Sequence, residues 1–214
     1  MGKKIYSFVS DDCTFADWIN QPPPFDAHWS LDIAPGPLAD PGDCSGGVGS
    51  GFAPDMPKPE LRFERPRVGL HLCDIQTHNT RGIVVMSDRA KGILEAIDAS
   101  SAFEFREAIA TLHDGSPAPK YWLADLTRRI AALDETHPAI KIEEKWVPRF
   151  EQTQRRLLFG IDTDLLFKSD LVGDHHIFGL LYSPSTICCD DIVVNAIYRH
   201  RLVGQKFWPM GETV

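Results

Sequence analysis

This sequence predicts an α+β fold, mainly antiparallel sheet with a few short helices, and three features carry that expectation. Strand-like runs outnumber helical ones and mostly follow one another with no crossover helix between them, which is the ordering of an α+β chain. Two strand–helix–strand units echo each other in layout. A long Pro/Gly-rich loop interrupts the N-terminal third. With an N-terminal strand it makes up residues 1–66, ahead of an α+β core over residues 67–214, within one domain overall.

The first element is Ile5-Tyr6-Ser7-Phe8-Val9, which reads as a strand. Asp11 and Asp12 then offer a cap for a short turn carrying Phe15, Trp18 and Ile19 at helical spacing. From Pro22 to Pro59 the texture changes. Nine of the sixteen prolines fall here, with the run Gly46-Gly47-Val48-Gly49-Ser50-Gly51. Proline withholds a backbone donor and glycine resists ordering, so segment 22–59 reads as an irregular surface connection. No strand leads into Gly46 and no Lys-Ser or Lys-Thr follows Gly51, so a phosphate-cradling loop is not indicated. Val68 to Cys73 reads as the next strand.

The first unit opens with Val84-Val85-Met86. Ser87 stands at an N-cap position, and Ala90, Ile93, Leu94 and Ile97 then recur at one helical face. Phe103 and Phe105 alternate with Glu104 as a second strand begins. Glu107 to Leu112 fits strand or helix equally, and Asp114 to Pro117 is a turn. Tyr121 to Leu126 is a further strand, followed by Ile130 to Asp134. Between Pro148 and Gly160, the residues Phe150, Gln154, Leu157 and Leu158 predict a short helix. Leu165 to Phe167 and Ile177 to Leu181 read as strands. Thr186 to Cys188 feeds a last helix near Asp191 to Arg201, which Gly204 is placed to end. Here the first unit is echoed: Ser87 falls on Asp190, Asp88 on Asp191, Leu94 on Ile197 and Phe105 on Trp208.

At 214 residues the chain is long enough to bury roughly 70% of its unfolded surface, so it needs no covalent staple. The formal charge of -8, with no basic stripe, speaks against nucleic-acid binding and suits a basic protein partner. Five scattered cysteines (Cys13, Cys44, Cys73, Cys188 and Cys189) are not a secreted disulfide framework. The apolar patch Ile5 to Val9 is too short for a signal peptide, and no run approaches the roughly 20 residues of a membrane span. The expectation is a reduced, cytoplasmic protein with no membrane association. Oligomeric state is not legible.

Candidate chemistry is sparse. His71, Cys73 and His78 carry metal-capable side chains, as does Asp174-His175-His176. His175 and His176 would face opposite ways on a strand, and no Cys-x-x-Cys completes a ligand set. A metal-dependent hydrolase on His71, Cys73, His175 or His176 is therefore the rival reading rather than the leading one. Cys189 precedes a helix, where a thiol can acidify, but Asp190 and Asp191 oppose a thiolate. Asp190 reads better as an N-cap, and Asp191 as a charge favoured by the helix dipole. Asp162 with Asp164, and Asp134 with Glu135, read as solvated turns. With no nucleophile, metal or cofactor motif in sight, the expectation is a non-enzyme without cofactors.

The ordered segments do resemble a known family. Val84 to Arg89 with Ile93-Leu94, Phe103-Glu104-Phe105, Tyr121 to Leu126 and Ala132-Leu133-Asp134 are similar in order to immunity family eleven of bacterial polymorphic-toxin systems. So are His176-Ile177-Phe178, the strand into Cys189-Asp190, Leu202-Val203-Gly204 and Phe207-Trp208-Pro209. The likeness covers residues 84–134 and 165–209, and residues 1–66 contribute little to it. At Cys188-Cys189-Asp190 the chain departs from the valine-serine type of helix entry. The resemblance implies a bacterial protein that binds and neutralises a cognate toxin domain. The alternative it leaves open is an adaptor or chaperone for a secreted effector. On the toxin-binding reading, acidic turns would meet a basic toxin surface, with Asp162, Asp164, Asp174, Asp190 and Asp191 as candidate contacts.

Overall fold

The computed structural model describes residues 2–11, 13, 15–18, 51–52, 56–65, 70–77, 83–98, 100–147, 152–160 and 163–214. The Pro/Gly-rich window therefore lies largely outside the described residues. In chain order the strands are β1 (Lys4–Ser10), β2 (Ala16–Trp18), β3 (Glu60–Phe63), β4 (Ile75–Thr77) and β5 (Ile83–Ser87). Helix α1 (Asp88–Ile97) follows, then β6 (Phe103–Thr111), β7 (Tyr121–Leu126), β8 (Arg129–Ile130), β9 (Lys141–Val147) and β10 (Gln152–Leu158). The remainder is β11 (Leu165–Phe167), α2 (Ser169–Val172), β12 (Ile177–Leu180), β13 (Ser183–Asp190), α3 (Asp191–Arg199) and β14 (Gln205–Thr213). The fold is α+β, as the pattern of segments predicts.

Two six-stranded sheets, ordered β2-β3-β6-β7-β5-β4 and β11-β14-β1-β13-β12-β8, hold most of these strands, and β10-β9 forms a separate ribbon. Each sheet contains the same five-strand motif. In the first, β5 and β6 both run antiparallel to β7 between them, β4 is antiparallel to β5, and β3 is parallel to β6. In the second, β13 and β14 both run antiparallel to β1, β12 is antiparallel to β13, and β11 is parallel to β14. Helices α1 and α3 make the equivalent crossovers and touch each other. The two strand–helix–strand units are thus real, and the second takes its central strand from the start of the chain.

The apolar pattern explains the layering. In β5 every residue is buried, with Val84 and Met86 facing the helices and Ile83 and Val85 facing outward. The central core combines those two with Leu94 of α1, Ile187 and Cys189 of β13, and Val193 and Ile197 of α3. Outer cores lie on the far faces: Phe52, Leu61, Phe63 and Leu123 on the first sheet, and Ile5, Leu165, Phe178 and Met210 on the second.

Several local expectations are corrected. The short turn placed at Phe15 and Trp18 is strand β2, because Ala16–Trp18 pairs with Phe63–Leu61 at the sheet edge; Asp12 and Ile19 lie outside the described residues. Leu70 to Cys73 belong to no strand, and Val68 and Gly69 lie outside the described residues. The strand begins at Ile75, after Asp74 has bound the Ser87 hydroxyl at 2.6 Å and the Val203 amide at 3.1 Å. The helix placed between Pro148 and Gly160 is strand β10. Its Arg155 and Arg156 sit opposite Glu144 and Glu143 of β9, and Leu157 is buried in the outer core. Paired charges across the ribbon and one anchored leucine outweigh a weak helical period.

Gly204 does not end α3. His200 is the C-cap, and Arg201 takes the left-handed conformation at φ 51. The amides of Arg201 and Leu202 donate back to Tyr198 and Ile197, closing the helix in a Schellman motif. Gly204, at φ 103, serves instead where the chain presses on β4: an added Cβ would lie 2.3 Å from the Ile75 carbonyl oxygen.

Candidate functional site

Helix α3 starts at a buried carboxylate. Asp190, 3% exposed, accepts the Ile192 amide at 3.0 Å and the Val193 amide at 3.4 Å. Its other oxygen lies 2.7 Å from Nδ1 of His176 and 3.7 Å from Nζ of Lys3. The expected N-cap is present, and both Asp190 oxygens are engaged inside the fold. Asp191 is exposed and accepts the Tyr6 hydroxyl at 2.8 Å. Burial and this bond to Asp191 push the Tyr6 phenol up to about 12.

His176 also ties the two units together, because its amide donates to Asp98, the C-cap of α1. Asp98 receives both guanidinium nitrogens of Arg128, which in turn donates to the Ile177 carbonyl at 3.0 Å and to Ser100. Burial alone would raise the Asp98 carboxyl, but the bonds from Arg128 and Ser100 and the Arg128 charge outweigh it and hold it at about 2. A carboxyl whose folded value lies below its ordinary 3.8 stabilises the fold above that ordinary value and loses the contribution as pH falls through the folded one. We therefore expect wild-type unfolding free energy to fall between pH 4 and pH 2 by about 2 kcal/mol more than that of Asp98→Asn, read from urea titrations. Parallel pH profiles would refute this role for Asp98.

Among the described residues the metal-capable side chains do not converge, and His78 lies outside those residues. His71 is exposed, whereas Cys73 is fully buried and donates to Gln76 Oε1 at 3.4 Å. A hydrogen bond with Cys13, and burial, push the Cys73 thiol well up. His175 and His176 sit in the other unit, at the turn into β12. Burial and the nearby Arg128 lower His175. Among the described residues no three His, Cys, Asp or Glu side chains group as a metal site. Cys188 and Cys189 are buried free thiols, raised by desolvation and so not poised for reaction.

The remaining acids are dispersed. Asp174 is exposed in the turn after α2, next to Gly173, whose carbonyl accepts Lys3 Nζ at 2.8 Å. Asp164 is exposed just before the edge strand β11, three strands from β13, and makes no ion pair among the described residues. Asp162 lies outside the described residues.

What the segment pattern misses is a cleft of about 390 Å3 on the outer face of the second sheet. Its floor is Ser7 and Val9 of β1, Thr186 of β13 and Trp208 of β14, and its wall includes Leu157 and Thr163. These residues are up to about two hundred positions apart in the chain, so no sequence window could display them together. Asp164, exposed, lies between Thr163 and Leu165, both of which line the cleft.

Among the described residues no helix is long and apolar enough to cross a membrane. No curated protein matches the chain. The family model of the Immunity protein family (Imm11) matches residues 7–212, well beyond the segments 84–134 and 165–209 that carry the resemblance. The wider span is what the topology requires, since β1 is the central strand of the second sheet. With a match over nearly its whole length, and a fold whose second unit is complete only with that strand, the chain belongs to the Immunity protein family (Imm11).

Proposed function

We propose that this protein protects a bacterial cell by binding and neutralising a cognate toxin domain of a polymorphic-toxin system in the cytoplasm. Membership of the immunity family over residues 7–212 carries the reading. The net charge of -8 supports a basic partner, for which electrostatic steering speeds encounter. Inhibition by contact requires no chemistry from this chain, so it acts as a binder and not as an enzyme. Of the acidic candidates, Asp164, Asp174 and Asp191 stand exposed and available for contact, whereas Asp190 belongs to the helix cap.

The test is growth of a bacterial host expressing the C-terminal domain encoded beside this chain's gene, with and without the chain. Rescue together with a stable co-purifying complex is the expected result. A demonstrably toxic domain that the chain neither binds nor counteracts would sink the pairing. Binding without rescue would favour an adaptor or chaperone.

A further inference from the structure

The repeat within the fold makes the cleft informative. Registers place Val85, Leu123 and Arg106 side by side in the first sheet, and Cys188, Ser7 and Trp208 side by side in the second. One step along, Asp125 lies beside Ile83 and Glu104, and its counterpart Val9 lies beside Lys206. The cleft floor of Ser7, Val9, Thr186 and Trp208 is therefore the second-unit equivalent of Leu123, Asp125, Ile83 and Arg106.

In the first unit that place is filled. The Gly51 amide donates to Asp125 at 2.9 Å, Arg106 reaches the Phe52 carbonyl, and the Phe52 ring packs in the outer core with Ile83 and Leu123. Ile83, Leu123 and Asp125 are accordingly buried, while Ser7, Val9 and Thr186 remain partly open and Trp208 is 39% exposed. The equivalent face of the first sheet thus holds Gly51-Phe52, bonded to the sheet through its backbone with one aromatic side chain inserted.

We infer that the cleft receives such a segment from the toxin domain: an extended stretch offering one apolar or aromatic side chain, flanked by a basic residue. The inference rests on the toxin-binding reading above. The basic flank follows from charge, since the exposed Asp164, unpaired among the described residues, lies between Thr163 and Leu165, which both line the cleft, in a chain of net charge -8. A central aromatic anchor with a polar rim is the arrangement that concentrates binding energy.

The probe is the purified C-terminal domain encoded beside this chain's gene, titrated against the full-length wild-type chain and two variants. Ser7→Trp fills the cleft from its floor, and Asp164→Arg reverses the exposed charge between Thr163 and Leu165. With wild-type circular dichroism, Ser7→Trp should weaken binding by at least about 30-fold. Asp164→Arg should weaken it about tenfold and flatten its salt dependence. If Ser7→Trp does not fold, the Asp164→Arg result decides.

Wild-type binding and rescue with unchanged affinity in the folded variants overturns the cleft assignment and leaves toxin binding standing. A wild-type chain that neither binds nor rescues overturns both. A wild-type dimer that Ser7→Trp makes monomeric also overturns the assignment, giving the cleft to a second copy of the chain.

Discussion

Replacing Gly211 with alanine should destabilise the protein by about 4 kcal/mol, the largest loss expected from a single methyl group here. Gly211 has φ 145, a conformation that side-chain-bearing residues rarely adopt, and an added Cβ would lie 1.8 Å from the Leu165 carbonyl oxygen. That neighbour is backbone, held in the parallel pairing of β11 with β14, and cannot swing aside. The position also lies beside a bulge, where Ile5 pairs with Gly211 and Tyr6 with Pro209, so that Met210 is extra and turns into the outer core. Gly115→Ala is the control. Its φ is 84, also positive, yet nothing stands within 4 Å of an added Cβ, so only conformational strain of about 1 kcal/mol is expected. Equal losses for the two variants in urea unfolding would show that close approach to β11 does not matter.

Asp190→Ala should cost about 3 kcal/mol and lower the melting temperature by roughly 6–12 °C. The carboxylate caps α3, faces His176 and Lys3, and is almost fully buried, so its removal strips a helix end and a charged partner together. Asp190→Asn keeps an acceptor for the Ile192 amide but gives up the charge, and should lose about half as much. The first unit supplies the comparison. Ser87 caps α1 through the Ala90 amide at 3.1 Å and donates its own hydroxyl to the Asp74 carboxylate at 2.6 Å, so Ser87→Ala should cost about 2 kcal/mol. If Asp190→Ala costs no more than Asp190→Asn, the helix cap that the asparagine retains contributes nothing, and if Asp190→Asn costs nothing, neither does the charge facing His176 and Lys3.

Those two caps also show how far local pattern reaches. Ser87 and Asp190 are legible because an N-cap needs only a short acceptor side chain ahead of a periodic apolar face, and that information sits within a few residues. Phe105 against Trp208 is where the echo slips. Register pairs Arg106 with Leu123 and Trp208 with Ser7, so the equivalent of Phe105 is Phe207, and both rings pack on the central core. The slip arises because α1 has ten residues and α3 nine. A count along the chain cannot detect a helix that is one residue shorter.

The sequence by itself determined the strand-rich class, the two units and both helix starts, because each follows from short-range periodicity or capping chemistry. Tertiary structure alone decided that β1 completes the second sheet, since pairing partners some two hundred residues apart leave no local trace. It also decided that Gln152–Leu158 is a strand, because Lys141–Val147 supplies the facing charges that its own weak helical period does not reveal. The Asp98–Arg128–His176 network and the cleft of Ser7, Thr186 and Trp208 belong to the same category. Each joins groups from distant parts of the chain whose common location is set by sheet order, and sheet order is a property of the folded molecule.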